Sequence, residues 1–489
     1  MKQQTTAALL LFFCCALLFL GPGCTVGPDY RRPQVAAPES WERQEGVSAA
    51  PIADVWWEGF GDPKLNDLVG QALAGNQDLL AAQARIEEYK AVLTQAKAGY
   101  YPQVSASLSA ARERASENGT TAIPKGFSPI ADLFQAAGQA SWDLDVFGKT
   151  RRQVEAARAN LAASEEGKLA TQLELVGSVV SGYISLAALD RKLLIAKKTA
   201  ETRKETLRLF TLRRQGGLIS EQDLLQARSQ YQDAVAQIPG LESSIANQEN
   251  ALCVLLGKNP GPVPRGLPIE KLAAPDVPAG LPSGLLSRRP DLRRAEQNLV
   301  AKNADIGAAK AQYFPSLSLT GGFGFASTEL SNLFVGPSRT WSYAAGLTQP
   351  VFMGGAISGV VAQAEAAYTQ TLFSYRKAVI QAFSEVEDAL AARKWSAEEL
   401  AIQAEQMQTL REYARMARLR YDNGVTSYLE VLDADRALFS VELSAVEAKS
   451  SSLTSLVNLY QALGGGWEFS PAARADGQEN APPQPKEMQ

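Results

Sequence analysis

The 489-residue chain contains no histidine. That absence removes Ser-His-Asp and Cys-His catalysis and the commonest metal ligand together. Cysteine is nearly as scarce. Cys14 and Cys15 lie in an N-terminal apolar run, and Cys253 sits alone in an apolar helical stretch, which leaves only Cys24. Neither a disulfide framework nor a zinc spacing can be assembled from these. A phosphate-cradling glycine loop is also missing, so neither catalytic nor metal-binding residues are expected. Charge of one sign does not predominate: 48 Lys and Arg against 52 Asp and Glu leave a net charge of −4, which argues against a nucleic-acid partner. After residue 20 no apolar run has the length of a transmembrane helix. If this chain crosses a membrane, it must do so with strands.

What is present begins with an export signal over residues 1–23, Met1-Lys2 followed by an apolar run from Ala7 to Leu20. Leu20-Gly-Pro-Gly-Cys24 resembles a bacterial lipoprotein processing site, although Gly21 stands where Leu is usual. On that analogy Cys24 carries diacylglycerol and palmitate, the only cofactor expected; ordinary secretion with a free Cys24 thiol is the alternative. Thr25 in place of Asp favours sorting to the outer membrane.

Downstream the chain repeats itself. Tyr101-Pro102 recurs as Phe314-Pro315, Val146-Phe147 as Val351-Phe352, Gly217–Ser220 as Gly424–Ser427, and Leu256-Gly257 as Leu463-Gly464. One structural unit is built twice, which predicts two copies about a pseudo-twofold. The first spans 64–256, with a β-hairpin at 103–146 and a helical hairpin at 151–256. The second spans 284–466, with a β-hairpin at 316–352 and a helical hairpin at 356–463. An N-terminal segment (24–63), a Pro-rich linker (257–283) and a polar, Pro-rich tail (467–489, expected to be flexible) complete the chain.

Four segments alternate with period two. Val104, Ala106, Leu108 and Ala110 oppose Ser105, Ser107 and Ser109; Phe134, Ala136, Gly138, Ala140, Trp142, Leu144 and Val146 oppose Gln135, Gln139, Ser141, Asp143 and Asp145. In the second copy Leu317, Leu319, Phe323 and Phe325 oppose Ser316, Ser318 and Thr320, and Trp341, Tyr343, Ala345, Leu347 and Val351 oppose Ser342, Gly346 and Thr348. A half-buried soluble sheet alternates in the same way. Membrane-spanning length, aromatic residues towards the ends and small polar opposite faces favour strands in lipid, with loops at about 111–133 and 327–340. Four strands cannot close a barrel, and open edges in lipid leave unsatisfied backbone groups, so several chains must share one. Two copies would give a filled barrel and three would give twelve strands with a lumen.

The residues from Arg151 to Gln215 and from Ala356 to Asn423 contain no proline and are rich in helix formers. Each run predicts a helix on the order of 100 Å. Leu372, Val379, Phe383, Val386 and Leu390 are spaced as a coiled-coil seam. Each long helix stops at Gly217 or Gly424 and restarts at Ser220 or Ser427, with an acid three residues on as in a capping box. Further amphipathic helices are expected near Leu65–Ala98 and Asp291–Gln312.

Several motifs together resemble the TolC-like outer-membrane efflux (outer-membrane factor) family, in its NodT- or OprM-like lipoprotein branch. They are Cys24-Thr-Val-Gly-Pro-Asp-Tyr-Arg-Arg-Pro33, Trp56-Trp57 with Phe60-Gly-Asp-Pro-Lys-Leu65, and Arg289-Pro-Asp-Leu292 through Phe314-Pro315. Tyr421-Asp-Asn-Gly424 through Arg436 and Leu459 through Trp467 complete the set, which covers essentially the mature chain. The resemblance implies a mixed α/β membrane protein: a homotrimer whose 12-stranded β-barrel, four strands per chain, continues as a long α-helical coiled-coil barrel. The linker and tail would contribute to an equatorial belt. It implies the exit duct of a tripartite pump, in the outer membrane of a Gram-negative bacterium, lipid-anchored and extending into the periplasm. The implied partners are a periplasmic adaptor (membrane fusion) protein, an inner-membrane transporter of the resistance-nodulation-division type and outer-membrane lipid.

Carried over by motif, Leu429 and Asp433 line a periplasmic gate that Tyr421, Arg420 and Arg436 hold closed. Three copies of Asp433 around an axis would repel one another and need tethering by nearby positive groups. Adaptor docking is expected at the turns Gly217–Ser220 and Gly424–Ser427. The competing classes are a periplasmic coiled coil without a barrel and an enzyme lipoprotein, the latter weakened by the missing histidine.

Overall fold

A computed structural model describes residues 25–35, 38, 40–42, 55–116, 128–275 and 282–465. The export signal, Cys24, the middle of the first hairpin loop and the tail from 466 onward, Trp467 included, lie outside the described residues. The chain divides into two compact units, each drawing on both repeats: one spans Met1–Gln34, Arg85–Glu165 and Arg294–Tyr375, the other Val35–Ala84, Glu166–Arg293 and Arg376–Gln489.

The first unit holds a four-stranded antiparallel sheet, β1 (Gln103–Arg114), β2 (Ile130–Leu144), β3 (Ser316–Ser327) and β4 (Arg339–Thr348), in that spatial order. Its register joins all four alternating patterns into one surface. Val104, Ala140, Gly321 and Tyr343 form one row, and Ala106, Gly138, Phe323 and Trp341 form the next. Ser105, Gln139, Gly322 and Ser342 form a row on the opposite face. The apolar face is uncovered: Val104, Leu108, Trp341, Tyr343 and Leu347 are 69–83% exposed. A soluble sheet buries such a face, and β1 and β4 each keep an unpaired edge as well.

The strand ends differ from the sequence expectation. β2 and β4 stop at Leu144 and Thr348, so Val146 and Val351 are not strand residues. Asp145, expected on the polar face, instead accepts the backbone N–H groups of Thr150 (3.0 Å) and Arg151 (2.8 Å), serving the start of the next helix. Beyond β4, Pro350 has no N–H to continue a ladder. β1 runs on to Arg114, with Arg112 and Asp132 paired across the strands at 3.4 Å, so the loops shorten to 115–129 and 328–338.

The helices are α1 (Pro63–Gly75), α2 (Gln77–Ala98), α3 (Lys149–Gln215), α4 (Glu221–Leu255), α5 (Pro282–Arg288), α6 (Pro290–Lys310), α7 (Ala356–Asp422) and α8 (Tyr428–Ala462). The duplication preserves length: α3 and α7 have 67 residues each, α4 and α8 have 35 each. Within the expected seam, Val379, Val386 and Leu390 are buried. By length and composition α3 could cross a membrane, but 56% of its most apolar stretch is buried inside the fold, as in a core helix. The copies are not identical in detail, since α4 carries Pro239 in its interior where α8 has Val446.

The single helix expected over residues 65–98 is two helices. Asn76, buried and extended, accepts the Leu79 N–H (2.9 Å) and donates through Nδ2 to the Leu255 carbonyl (3.0 Å). Its side chain therefore caps α2 while tying it to the end of α4. Nearby, the Trp56-Trp57 motif forms a short 3-10 turn with Trp56 stacked on Tyr460 at 4.7 Å. The buried Asp62 carboxylate accepts from Tyr183 Oη (2.6 Å), the Leu267 N–H (2.7 Å) and the Lys64 N–H (2.9 Å). Arg289 donates to Asp291 (2.8 Å) and to the Ala462 carbonyl (3.1 Å), and pairs with Glu385 (2.6 Å).

Candidate functional site

The second unit contains both helix turns. At each, glycine adopts the left-handed conformation that side-chain-bearing residues resist: Gly217 and Gly424 both have φ +70. The turns close alike, Leu218 N–H donating to the Arg213 carbonyl (2.8 Å) and Val425 N–H to that of Arg420 (2.9 Å). They restart differently. Ser220 forms the reciprocal capping box with Asp223, both backbone bonds being 3.1 Å. Ser427 makes no side-chain cap bond, contrary to the sequence expectation. Glu430 is drawn instead to Thr426 Oγ1 and to Arg420, whose Nη1 lies 3.2 Å away.

Behind the turns α3, α4, α7 and α8 share an apolar cluster that includes Phe210, Leu224, Ala417, Tyr428 and Val431. Phe210 and Tyr421 pack on Tyr428 at 4.3 and 5.3 Å. Burial pushes the Tyr428 phenol up to about 12, keeping it neutral.

Polar contacts stitch the helices around this cluster. Arg213 Nη1 donates to Tyr421 Oη (3.2 Å), and Arg420 pairs with Glu430 across the turn. Arg203, 8% exposed, donates to the Gln230 carbonyl (2.8 Å) and stacks over Phe439 at 5.1 Å. Burial pushes its guanidinium below the usual range. Asp435 is pushed above the usual carboxylate range by burial, with Arg418 at 3.6 Å opposing that shift.

Of the residues expected in the gate, the structure engages Tyr421 and Arg420 in contacts between helices. Leu429 is 61% exposed, and Asp433 and Arg436 are exposed. Neither Asp433 nor Arg436 makes a hydrogen bond or ion pair among the described residues, so the expected Arg436 latch is absent within one chain. Arg213, Arg418, Asp435 and Arg203 were not singled out from sequence, and Glu430 only as the acid of a capping box; the Arg213-Arg214 pair ahead of the turn glycine was the available signal. At the expected docking turns Gly217, Ser220, Gly424 and Ser427 are exposed, flanked by Leu218 (76%) and Val425 (66%).

In the first unit the Val26–Pro33 motif is a clamped strap. Val26 N–H donates to the Phe147 carbonyl (3.1 Å). The buried Arg152 donates to the Val26 and Gly27 carbonyls (3.2 and 3.4 Å) and to Asp29 (2.8 Å). Asn303 donates to the Pro28 carbonyl (2.9 Å), and Tyr30 and Arg32 both donate to Glu296. Thr25 consequently sits against Gly148, close in sequence to Asp145 at the foot of β2.

Comparison with known proteins agrees with this architecture. The toluene efflux pump outer membrane protein TtgC of Pseudomonas putida is 35% identical over 457 residues, 92% of this chain and 94% of that one. The probable outer membrane lipoprotein SilC of Salmonella typhimurium is 33% identical, over 92% of this chain and 97% of its own. The open state of the Neisseria gonorrhoeae MtrE outer membrane channel superposes with a TM-score of 0.81 at 31% identity, covering 91% of this chain and 98% of that one. The outer membrane efflux protein family profile matches residues 68–258 and 281–465, close to the two repeats, and the chain belongs to that family.

Proposed function

We infer that the chain is the outer-membrane duct of a multicomponent efflux pump, a passive conduit that performs no chemistry. One observation carries this: a single chain presents an uncovered apolar sheet face with two unpaired edges. In lipid those edges must pair with other copies. Three chains closing twelve strands leave a lumen, which a conduit requires. The relatives' names, a toluene efflux pump component and an outer membrane channel, support the same reading. Periplasmic adaptor and inner-membrane transporter, of the resistance-nodulation-division type, are the partners we propose; the exposed Leu218 and Val425 at the turns suit packing against another helical hairpin.

The gate belongs to the α7–α8 turn. Leu429 and Asp433 stand exposed on α8, as lumen-lining residues would, and Arg420–Glu430 and Arg213–Tyr421 hold the neighbouring helices together. Opening shifts these helices to a second packing that the adaptor binds better. The strap supports lipidation of Cys24: its clamp leaves Thr25 at the foot of the sheet, where an acyl chain on the preceding residue could enter the membrane.

Planar-bilayer recording tests the gate. Asp433→Ala combined with Arg436→Ala should raise single-channel conductance, and Arg420→Ala should do so by releasing Glu430. Wild-type conductance in both variants removes the gate from this turn.

A further inference from the structure

The apolar face of the sheet ends in arginine. Following its parity upward, β1 passes from Leu108 through Ala110 to Arg112 and Arg114, and β4 passes from Tyr343 through Trp341 to Arg339. All three arginines share the side of the sheet that carries Val104, Phe323 and Trp341, at the end bearing the hairpin loops. Asp132, paired with Arg112, is the one acid on that face at this end of the described strands, and Glu113 projects from the other face. Counted over the described strand residues, this end of the face carries three arginines and one acid.

Its height is informative. Arg339 stands eight residues above Leu347, roughly 27 Å along the strand and about 20 Å along the membrane normal at a tilt of about 40°. That distance approaches the whole apolar band, so the guanidinium groups emerge at headgroup level just above the stacked Trp341 and Tyr343. A charge facing lipid is costly at the midplane and nearly free at this depth. Arg112 spends one weak contact on Asp132, with its side chain 73% exposed, and a guanidinium has five donors. Arg339 is exposed and makes no hydrogen bond or ion pair among the described residues.

We propose that Arg112, Arg114 and Arg339 form a binding site for the phosphorylated headgroups of outer-leaflet lipid, so that the loop end of the sheet grips the membrane electrostatically as well as by its apolar face. The proposal rests on the lipid-facing reading of the sheet. Planar, bidentate donors just beyond an aromatic row match phosphate esters, whose acyl chains would lie along Val104, Leu108 and Phe323.

The experiment uses the full-length oligomer in detergent, with native mass spectrometry against lipid A carrying both phosphates, its dephosphorylated form, and inorganic phosphate. The wild type should bind the phosphorylated lipid about tenfold more tightly than the dephosphorylated one. The triple variant Arg112→Gln/Arg114→Gln/Arg339→Gln should lose that preference, and the triple Lys variant should keep most of it. Arg339→Gln alone, which touches no ion pair among the described residues, should reduce it and serves if the triple variant fails to assemble. Equal binding of the two lipids, a preference surviving in both Gln variants, or arginine-dependent binding of inorganic phosphate as tight as that of lipid A would each overturn the proposal. Channel conductance recorded in parallel separates the two failures: a conducting wild type with no phosphate preference sinks the lipid site alone, whereas a wild type without oligomer or conductance sinks the duct reading beneath it.

Discussion

Of the motifs that carry the family resemblance, Trp56–Leu65 and Arg289–Leu292 place side chains in the core. Trp56, Trp57, Phe60 and Asp62 are buried, and Asp62 gathers a phenol and two backbone N–H groups. Buried Arg289 pairs with the half-buried Asp291. Burial drives the Asp291 carboxyl up, but the Arg289 hydrogen bond and charge pull it further down, leaving it below its ordinary value of 3.8. A depressed folded value means the charged form stabilises the fold above the ordinary carboxylate range, and that stability disappears as pH falls through the lowered value. Asp291→Asn should therefore lower the melting temperature at pH 7 and flatten its decline below about pH 4; thermal melts across pH 3 to 7 would show both. The residues of the proposed gate were less legible. Motif matching reached Tyr421 and Arg420. Arg213 acts on Tyr421 across a separation of 208 residues, and Arg203 lies over the still more remote Phe439, so only the packing of the helices brings these partners near.

At the level of elements, period-two alternation located all four strands because one face meets an apolar medium along the whole span. It overran at Asp145 and Val351 because alternation continues by chance where a cap or a proline has already ended the ladder. The break at Asn76 was hidden because its capping partner, the Leu255 carbonyl, is distant in sequence. The turns show the same limit. Their sequences both read as Ser with an acid three residues later, but only Ser220 caps its helix. Arg420 competes for Glu430, while Arg214 pairs with Glu221 and leaves Asp223 to its serine. Ser220→Ala should consequently cost about 1 kcal/mol and Ser427→Ala close to nothing. Heat resistance of the oligomer measured for the two variants side by side would check the difference.

For the whole molecule, the lipidation proposed at Cys24 would add a second anchor to the sheet's own apolar face. If the strap delivers residue 24 to the foot of the sheet, Cys24→Ala should abolish palmitate incorporation while oligomer and conductance persist, because the barrel inserts on its own apolar face; metabolic labelling followed by bilayer recording distinguishes the two contributions. The matched helices set a different constraint. Inserting one residue into an α-helix turns everything beyond it by about 100° and advances it by about 1.5 Å. With α3 and α7 at 67 residues and α4 and α8 at 35, the copies behave like two rulers cut together. An indel in either would throw its tip out of step with the other, so viable lengthening or shortening over evolutionary time would have to arrive in both copies or in multiples that restore the angular phase.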